Sequence, residues 1–111
     1  MADEMIYDTK FFRVVKAADV PDGERLFFEI EGRPIVLFAL NGEYLAIADK
    51  CSHDDGPVGE GELEGEEIIC PRHGARFDIR TGKVLSFPAV KDIKSYEVRV
   101  KDEYIEVGIQ K

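Results

Sequence analysis

Apolar and polar residues alternate with a period of two along most of this chain, which predicts β-strands rather than helices. In "LFFEIEG" the residues Leu26, Phe28 and Ile30 fall on one face, with Glu29 and Glu31 among those on the other. The run "IVLFAL" at 35–40 is apolar throughout, which predicts a strand buried on both sides. Asn41-Gly42 follows, a strong signal for a two-residue hairpin, and "EYLAIA" at 43–48 supplies the partner strand. Further on, Tyr96, Val98 and Val100 alternate with Glu97, Arg99 and Lys101; Asp102-Glu103 turns the chain and "YIEVGI" at 104–109 forms the last strand. Other turns are expected at Pro21-Asp22-Gly23, Gly32-Arg33-Pro34 and Thr81-Gly82. No long amphipathic helix is present; a single helical turn fits near 17–20 or 90–94. The pattern predicts an all-β fold of antiparallel strands, a sandwich or small barrel.

Residues 49–74 break the alternation. They are rich in glycine, contain Pro57 and Pro71, and read as a loop-rich insertion in the β framework. Loops held on a rigid scaffold are where chemistry usually sits. Charge is segregated here as well. Asp54, Asp55, Glu60, Glu62, Glu64, Glu66 and Glu67 lie together without a basic residue, and Arg72, Arg76, Arg80 and Lys83 follow with only Asp78 against them.

Length and charge narrow the function. A chain of 111 residues is one domain and buries one modest core. A net charge of −8 argues against nucleic acid as a partner. It suits solubility first, and steering toward a basic protein partner second. The N-terminal "MADEMIYDTK" is not a secretory signal, and the run at 35–40 is too short to span a bilayer. We therefore expect a soluble, cytoplasmic monomer with no membrane association. In a reducing compartment two cysteines are ligands or thiols more often than a disulfide.

The chemistry concentrates in "CSHDDG" and "CPRHG". Cys51, His53, Cys70 and His73 are all the cysteines and histidines of the chain, arranged as two matching pairs. Chance would explain one pair more readily than two. A Cys51–Cys70 disulfide leaves both histidines without a role. A Cys–His nucleophile needs only one pair. A metal centre uses all four residues, either as tetrahedral zinc or as a two-iron, two-sulfide cluster. Zinc modules usually pair like ligands with like. One thiolate and one imidazole from each loop suit two unlike irons, with Cys51 and Cys70 on one and His53 and His73 on the other.

The spacing C-x-H, sixteen residues, then C-x-x-H resembles that of the Rieske proteins. The proline after Cys70 and the glycine after His73 match as well. "RFDIRTGKV" at 76–84 resembles the family's strand and turn after the second ligand loop, and "FPAVKDIKSYEV" at 87–98 its proline-containing third loop. The likeness runs from about Phe11 to Ile109. It implies a Rieske-like fold of antiparallel sheets in one domain, 1–111. A base sandwich would come from about 1–47 and 86–111, and a small cluster-binding subdomain from about 48–85. It also implies a [2Fe-2S] cluster held by Cys51, His53, Cys70 and His73.

The resemblance implies an electron carrier rather than an enzyme, similar to the ferredoxin component of bacterial ring-hydroxylating dioxygenase systems. It would take electrons from a reductase and pass them to an oxygenase or other acceptor. Two alternatives are the small subunit of a reductase such as nitrite reductase, and a zinc-stabilised interaction module without redox function. High-potential members resemble a "CPCHGSxY" pattern, with two extra cysteines in a disulfide and hydroxyl donors to sulfur. Here Gly56 and Arg72 take the extra-cysteine positions, while Ala75 and Phe77 replace the serine and tyrosine. Neither Ala75 nor Phe77 donates a side-chain hydrogen bond. A low potential is expected, near the lower end of a range of roughly −150 to +300 mV. Gly56, Gly59 and Gly74 are expected to permit tight turns and present backbone N–H groups to the sulfides, Arg72 to point to solvent, and Pro88 to lie over the cluster.

Overall fold

The computed structural model describes residues 9–52 and 56–110. Its ten strands are β1 (Thr9–Lys16), β2 (Arg25–Ile30), β3 (Arg33–Leu40), β4 (Glu43–Ala48), β5 (Glu62–Glu64), β6 (Glu67–Ile69), β7 (Arg76–Asp78), β8 (Val84–Ser86), β9 (Ser95–Lys101) and β10 (Tyr104–Gln110). They form a six-stranded sheet in the order β1-β10-β9-β4-β3-β2 and a four-stranded sheet in the order β5-β6-β7-β8, with every pairing antiparallel.

Three hairpins turn on two residues of positive φ: Glu31 (51°) and Gly32 (81°), Asn41 (52°) and Gly42 (82°), Asp102 (53°) and Glu103 (72°). Such turns carry a twist that matches the paired strands they join. The first sits earlier than the sequence suggests, because Arg33 and Pro34 already pair with Ile30 and Glu29. A 3-10 turn occupies Ala17–Asp19, while 90–94 runs without a helical turn.

The unbroken apolar run of β3 has a direct cause. Ile35, Leu37 and Ala39 enter one core with Ile105, Val107 and Ile109 of β10. Val36 and Phe38 enter a second core with Ile68 and Phe77 of the smaller sheet and Ile79 just after β7. β4 divides in the same way, Ala46 going to the first core and Ile47 to the second. The β3–β4 hairpin is therefore the wall shared by both halves. Each large side chain fully buried in that wall contributes about 1.5–3 kcal/mol.

The first core also takes Phe12 and Val14 of β1 and Leu26, Phe28 and Ile30 of β2, so both ends of the six-stranded sheet fold onto one interior. Tyr96 and Val98 join it. Val100 does not: it is 51% exposed near the β9–β10 turn, beyond the Ser95 and Tyr96 positions where β9 pairs with β4, although Ile105 opposite it is buried.

Candidate metal centre

Each cysteine opens a loop closed in the same manner. The Cys51 N–H donates to the Gly56 carbonyl at 2.7 Å, and the Cys70 N–H donates to the Ala75 carbonyl at 2.7 Å. The first loop leaves β4 through Asp49 and Lys50, and the second leaves β6 at Ile69. Both thiols lie fully buried in the second core, among Val58, Ala75 and Phe77, and neither is in a disulfide. His73 is exposed on the second loop. His53, with Asp54 and Asp55, lies outside the described residues. Among the described residues no three Cys, His, Asp or Glu side chains converge on one point.

The first loop and the segment after it are tied down by groups that sequence reading missed. The Asp49 carboxylate accepts the backbone N–H of Val58 at 3.0 Å and of Gly59 at 2.6 Å. Arg25 of β2 donates to the carbonyls of Gly59 and, at 2.8 Å, Gly61. Its guanidinium also lies 5.2 Å over the Phe38 ring. Gly59 has no room for a side chain, since a Cβ there would sit 2.7 Å from the Phe27 ring and 2.9 Å from the Asp49 carboxylate. The Ser52 hydroxyl donates to the Lys91 carbonyl and so joins the Cys51 loop to the loop after β8. That loop is braced by Asp92, which accepts the Val84 N–H at 2.9 Å. It carries the cis Phe87–Pro88 peptide, and Phe87 and Val90 are strongly exposed on it. The sequence signal for Asp49 was slight: a lone acid two residues before Cys51.

Arg72 is exposed, as expected, and its guanidinium also meets the first loop: Nη1 donates to the Pro57 carbonyl at 3.0 Å and Nη2 to the Cys70 Sγ at 3.6 Å. A Cβ on Gly56 would lie 2.6 Å from Nη2, so the arginine packs across the glycine. The two positions without the extra cysteines are thus in contact. The glycine expectation changes. The Gly59 N–H meets Asp49 rather than a sulfide, and the Gly74 N–H meets the Cys70 carbonyl at 3.0 Å. Gly56 has no positive φ; a Cβ there would meet the guanidinium end of Arg72, which can move aside.

The segregated charges pair across the small sheet. Arg76 meets Glu64 at 2.9 Å and Glu67 at 3.3 Å. Arg80 meets Glu66 at 2.8 Å and reaches Glu43 of β4 at 2.6 Å, linking the two sheets. The Arg80 hydrogen bond holds the Glu66 carboxyl below its usual range, and Glu66 in turn raises Arg80. Glu64, followed by Glu67, raises Arg76.

A protein-family model described as the Rieske [2Fe-2S] domain matches residues 10–97. The chain belongs to the Rieske family. Among its Rieske relatives, the ferredoxin component of the naphthalene 1,2-dioxygenase/salicylate 5-hydroxylase systems of a Ralstonia species is 40% identical over 84 residues, covering 76% of this chain and 81% of the relative. The solved ferredoxin of carbazole 1,9a-dioxygenase from Nocardioides aromaticivorans superposes with a TM-score of 0.81 at 30% identity, covering 87% of this chain and 95% of that one. A solved complex of reduced oxygenase and oxidized ferredoxin in carbazole 1,9a-dioxygenase matches with a TM-score of 0.80 at 30% identity, covering 87% of this chain and 91% of the other.

The residues present fit the Rieske [2Fe-2S] group. Two thiols are buried in one apolar core from two loops of equal closure, and the second loop adds an exposed imidazole. Thiolates suit an iron–sulfur centre, and the low polarity around them favours charge neutralisation by metal. Membership in this family disfavours the zinc alternative. No helix among the described residues is long and apolar enough to cross a membrane.

Proposed function

We propose that this protein is a low-potential Rieske-type ferredoxin, a one-electron carrier that takes electrons from a reductase and passes them to an oxygenase. The observation that carries this reading is the pair of buried thiols, Cys51 and Cys70, on loops of equal closure in a chain of the Rieske family. The [2Fe-2S] group supplies reversible one-electron chemistry.

The chain's own residues do the rest. Cys51 and Cys70 are the sulfur ligands and sit in the core, where water does not compete for them. His53 and His73 are the nitrogen ligands, and the exposure of His73 makes the imidazole side the route by which an electron leaves or enters. Two imidazoles in place of two thiolates make the oxidised centre neutral, so it accepts an electron more easily than a four-thiolate centre. Ala75 and Phe77 are buried with Cys70 and bring no hydroxyl to the sulfur, which keeps the potential near the lower end of the class.

The division of labour is that of one domain. Residues of about 1–47 and 86–111 form the base, and about 48–85 present the ligands. We place the carrier in the cytoplasm as a monomer, where reducing conditions keep both cysteines available as thiolates. That the relatives are ferredoxin components favours a free carrier over a bound reductase subunit.

The test is analysis of purified protein for iron and acid-labile sulfide, with EPR after reduction, followed by stopped-flow transfer from a ferredoxin reductase to an oxygenase. We expect about two iron and two sulfide per chain and reoxidation by oxygenase. A colourless protein containing zinc, or a loaded protein that no oxygenase reoxidises, overturns the reading.

A further inference from the structure

Arg72 stands between two proposed ligands in the chain, Cys70 and His73, yet its guanidinium turns back onto the other loop. Nη1 donates to the Pro57 carbonyl at 3.0 Å, Nη2 donates to the Cys70 Sγ at 3.6 Å, and the guanidinium lies against Gly56, where an added Cβ would come 2.6 Å from Nη2. Pro57 and Gly56 belong to the segment that closes the first loop, since Gly56 accepts the Cys51 N–H. One side chain therefore spans both ligand loops and also reaches a buried sulfur.

We propose that Arg72 is a positioning residue that clamps the two ligand loops together and, through a charge-assisted N–H···S hydrogen bond to Cys70, raises the midpoint potential of the centre. This rests on ligation by Cys70, as proposed above.

The physical argument has two parts. Guanidinium is planar, always protonated, and presents several donors in a fixed fork, so one group serves two acceptors on different loops without loss of geometry. Adding an electron increases negative charge on the ligating sulfurs. A cationic donor to one of them favours the reduced state over the oxidised state, and charge-assisted hydrogen bonds are the stronger kind. Ala75 and Phe77 bring no side-chain donor, so the arginine supplies a contribution that hydroxyls do not. It moderates the low potential without reversing it.

The experiment compares the holoprotein with Arg72→Met, Arg72→Lys and Gly56→Ala. Gly56→Ala pushes the guanidinium off its seat while leaving the charge in the chain. Midpoint potential is read by potentiometric titration, and sulfur hydrogen bonding by the Fe–S(Cys) bands in resonance Raman. Loop clamping is read as the rate of bleaching in chelator.

Arg72→Met and Gly56→Ala are expected to lower the midpoint, shift the Fe–S(Cys) bands and bleach several-fold faster. Arg72→Lys, a point charge without the fork, is expected to recover part of the potential and little of the bleaching resistance. If Arg72→Met fails to retain its cluster, Gly56→Ala and Arg72→Lys still decide the matter. An unchanged midpoint and unchanged bands in loaded variants overturn the proposal. Iron and sulfide analysis of the parent protein separates that outcome from failure of the ligation reading, in which the parent itself lacks the cluster.

Discussion

The carboxylate of Asp49 accepts the backbone N–H of Gly59 at 2.6 Å, ten residues further along the chain. It accepts the Val58 N–H as well, so one side chain gathers the segment that follows the first ligand loop against the end of β4. Removing a charged acceptor from two partly buried donors costs about 2–3 kcal/mol. For a domain of this size Asp49→Ala should lower Tm by about 10 °C, and Asp49→Asn, which keeps one acceptor oxygen, by less. Thermal unfolding followed by circular dichroism on the cluster-loaded protein reads this directly. A shift of a degree or less would show that the loop stands without it.

Gly59→Ala places a methyl group 2.7 Å from the Phe27 ring, 2.9 Å from the Asp49 carboxylate and 3.0 Å from the Val36 Cβ. Overpacking of this kind costs about 1–3 kcal/mol. Phe27 is 42% exposed and has room to be shortened, so Phe27→Ala in the same chain should recover part of the loss. A double-mutant cycle in urea measures the coupling, and strict additivity of the two changes would rule out the clash.

Ala75 and Phe77 share the second core with Cys70. On the proposed ligation, Ala75→Ser and Phe77→Tyr return hydroxyl donors to the neighbourhood of the sulfurs, and each should raise the midpoint potential, the double variant most. Potentiometry is the measurement. A double variant no higher than the parent would remove the hydroxyl account of the low potential.

Arg80 couples the sheets through Glu66 and Glu43 in a manner that depends on pH. Its hydrogen bond holds Glu66 below the ordinary value of 4.5. A lowered carboxyl contributes stability that is complete above 4.5 and disappears as pH falls through the folded-state value. Arg80→Gln should therefore unfold at a lower temperature than the parent at pH 7, and that small difference should close in acid. A gap that widened on acidification would contradict the sign. Exposure keeps the effect modest, and added salt should shrink it.

The net charge of −8 predicts a salt dependence of electron delivery. Association with a basic reductase face should slow as ionic strength rises, seen as a falling second-order rate in stopped flow. Rates that ignore salt would leave the acidic surface with solubility alone.

Several elements were legible before the fold was known. Period-two alternation marked β2 and β9, the Asp102-Glu103 turn marked the start of β10, and Asn41-Gly42 marked the central hairpin. The unbroken run at 35–40 announced a strand with two buried faces, and β3 does divide between two cores. The strands β5 and β6 were not legible, because three residues are too few to show a period. Val100 misled because alternation continues past the point where β9 pairs with β4.

What the sequence by itself determined is the family and the framework: two Cys/His pairs at Rieske spacing, between β-strands whose apolar positions say which faces are buried. Donor type, spacing and period are local properties, and local properties can be read along a chain. Tertiary structure alone decided where the long polar side chains go. Arg72 turns onto Gly56, Asp49 reaches Gly59, Arg25 reaches Gly61, and Arg80 joins Glu43 to Glu66. Each of these ends meets a partner brought near by strand pairing and loop closure, and a flexible side chain has no preferred direction until that partner is in place.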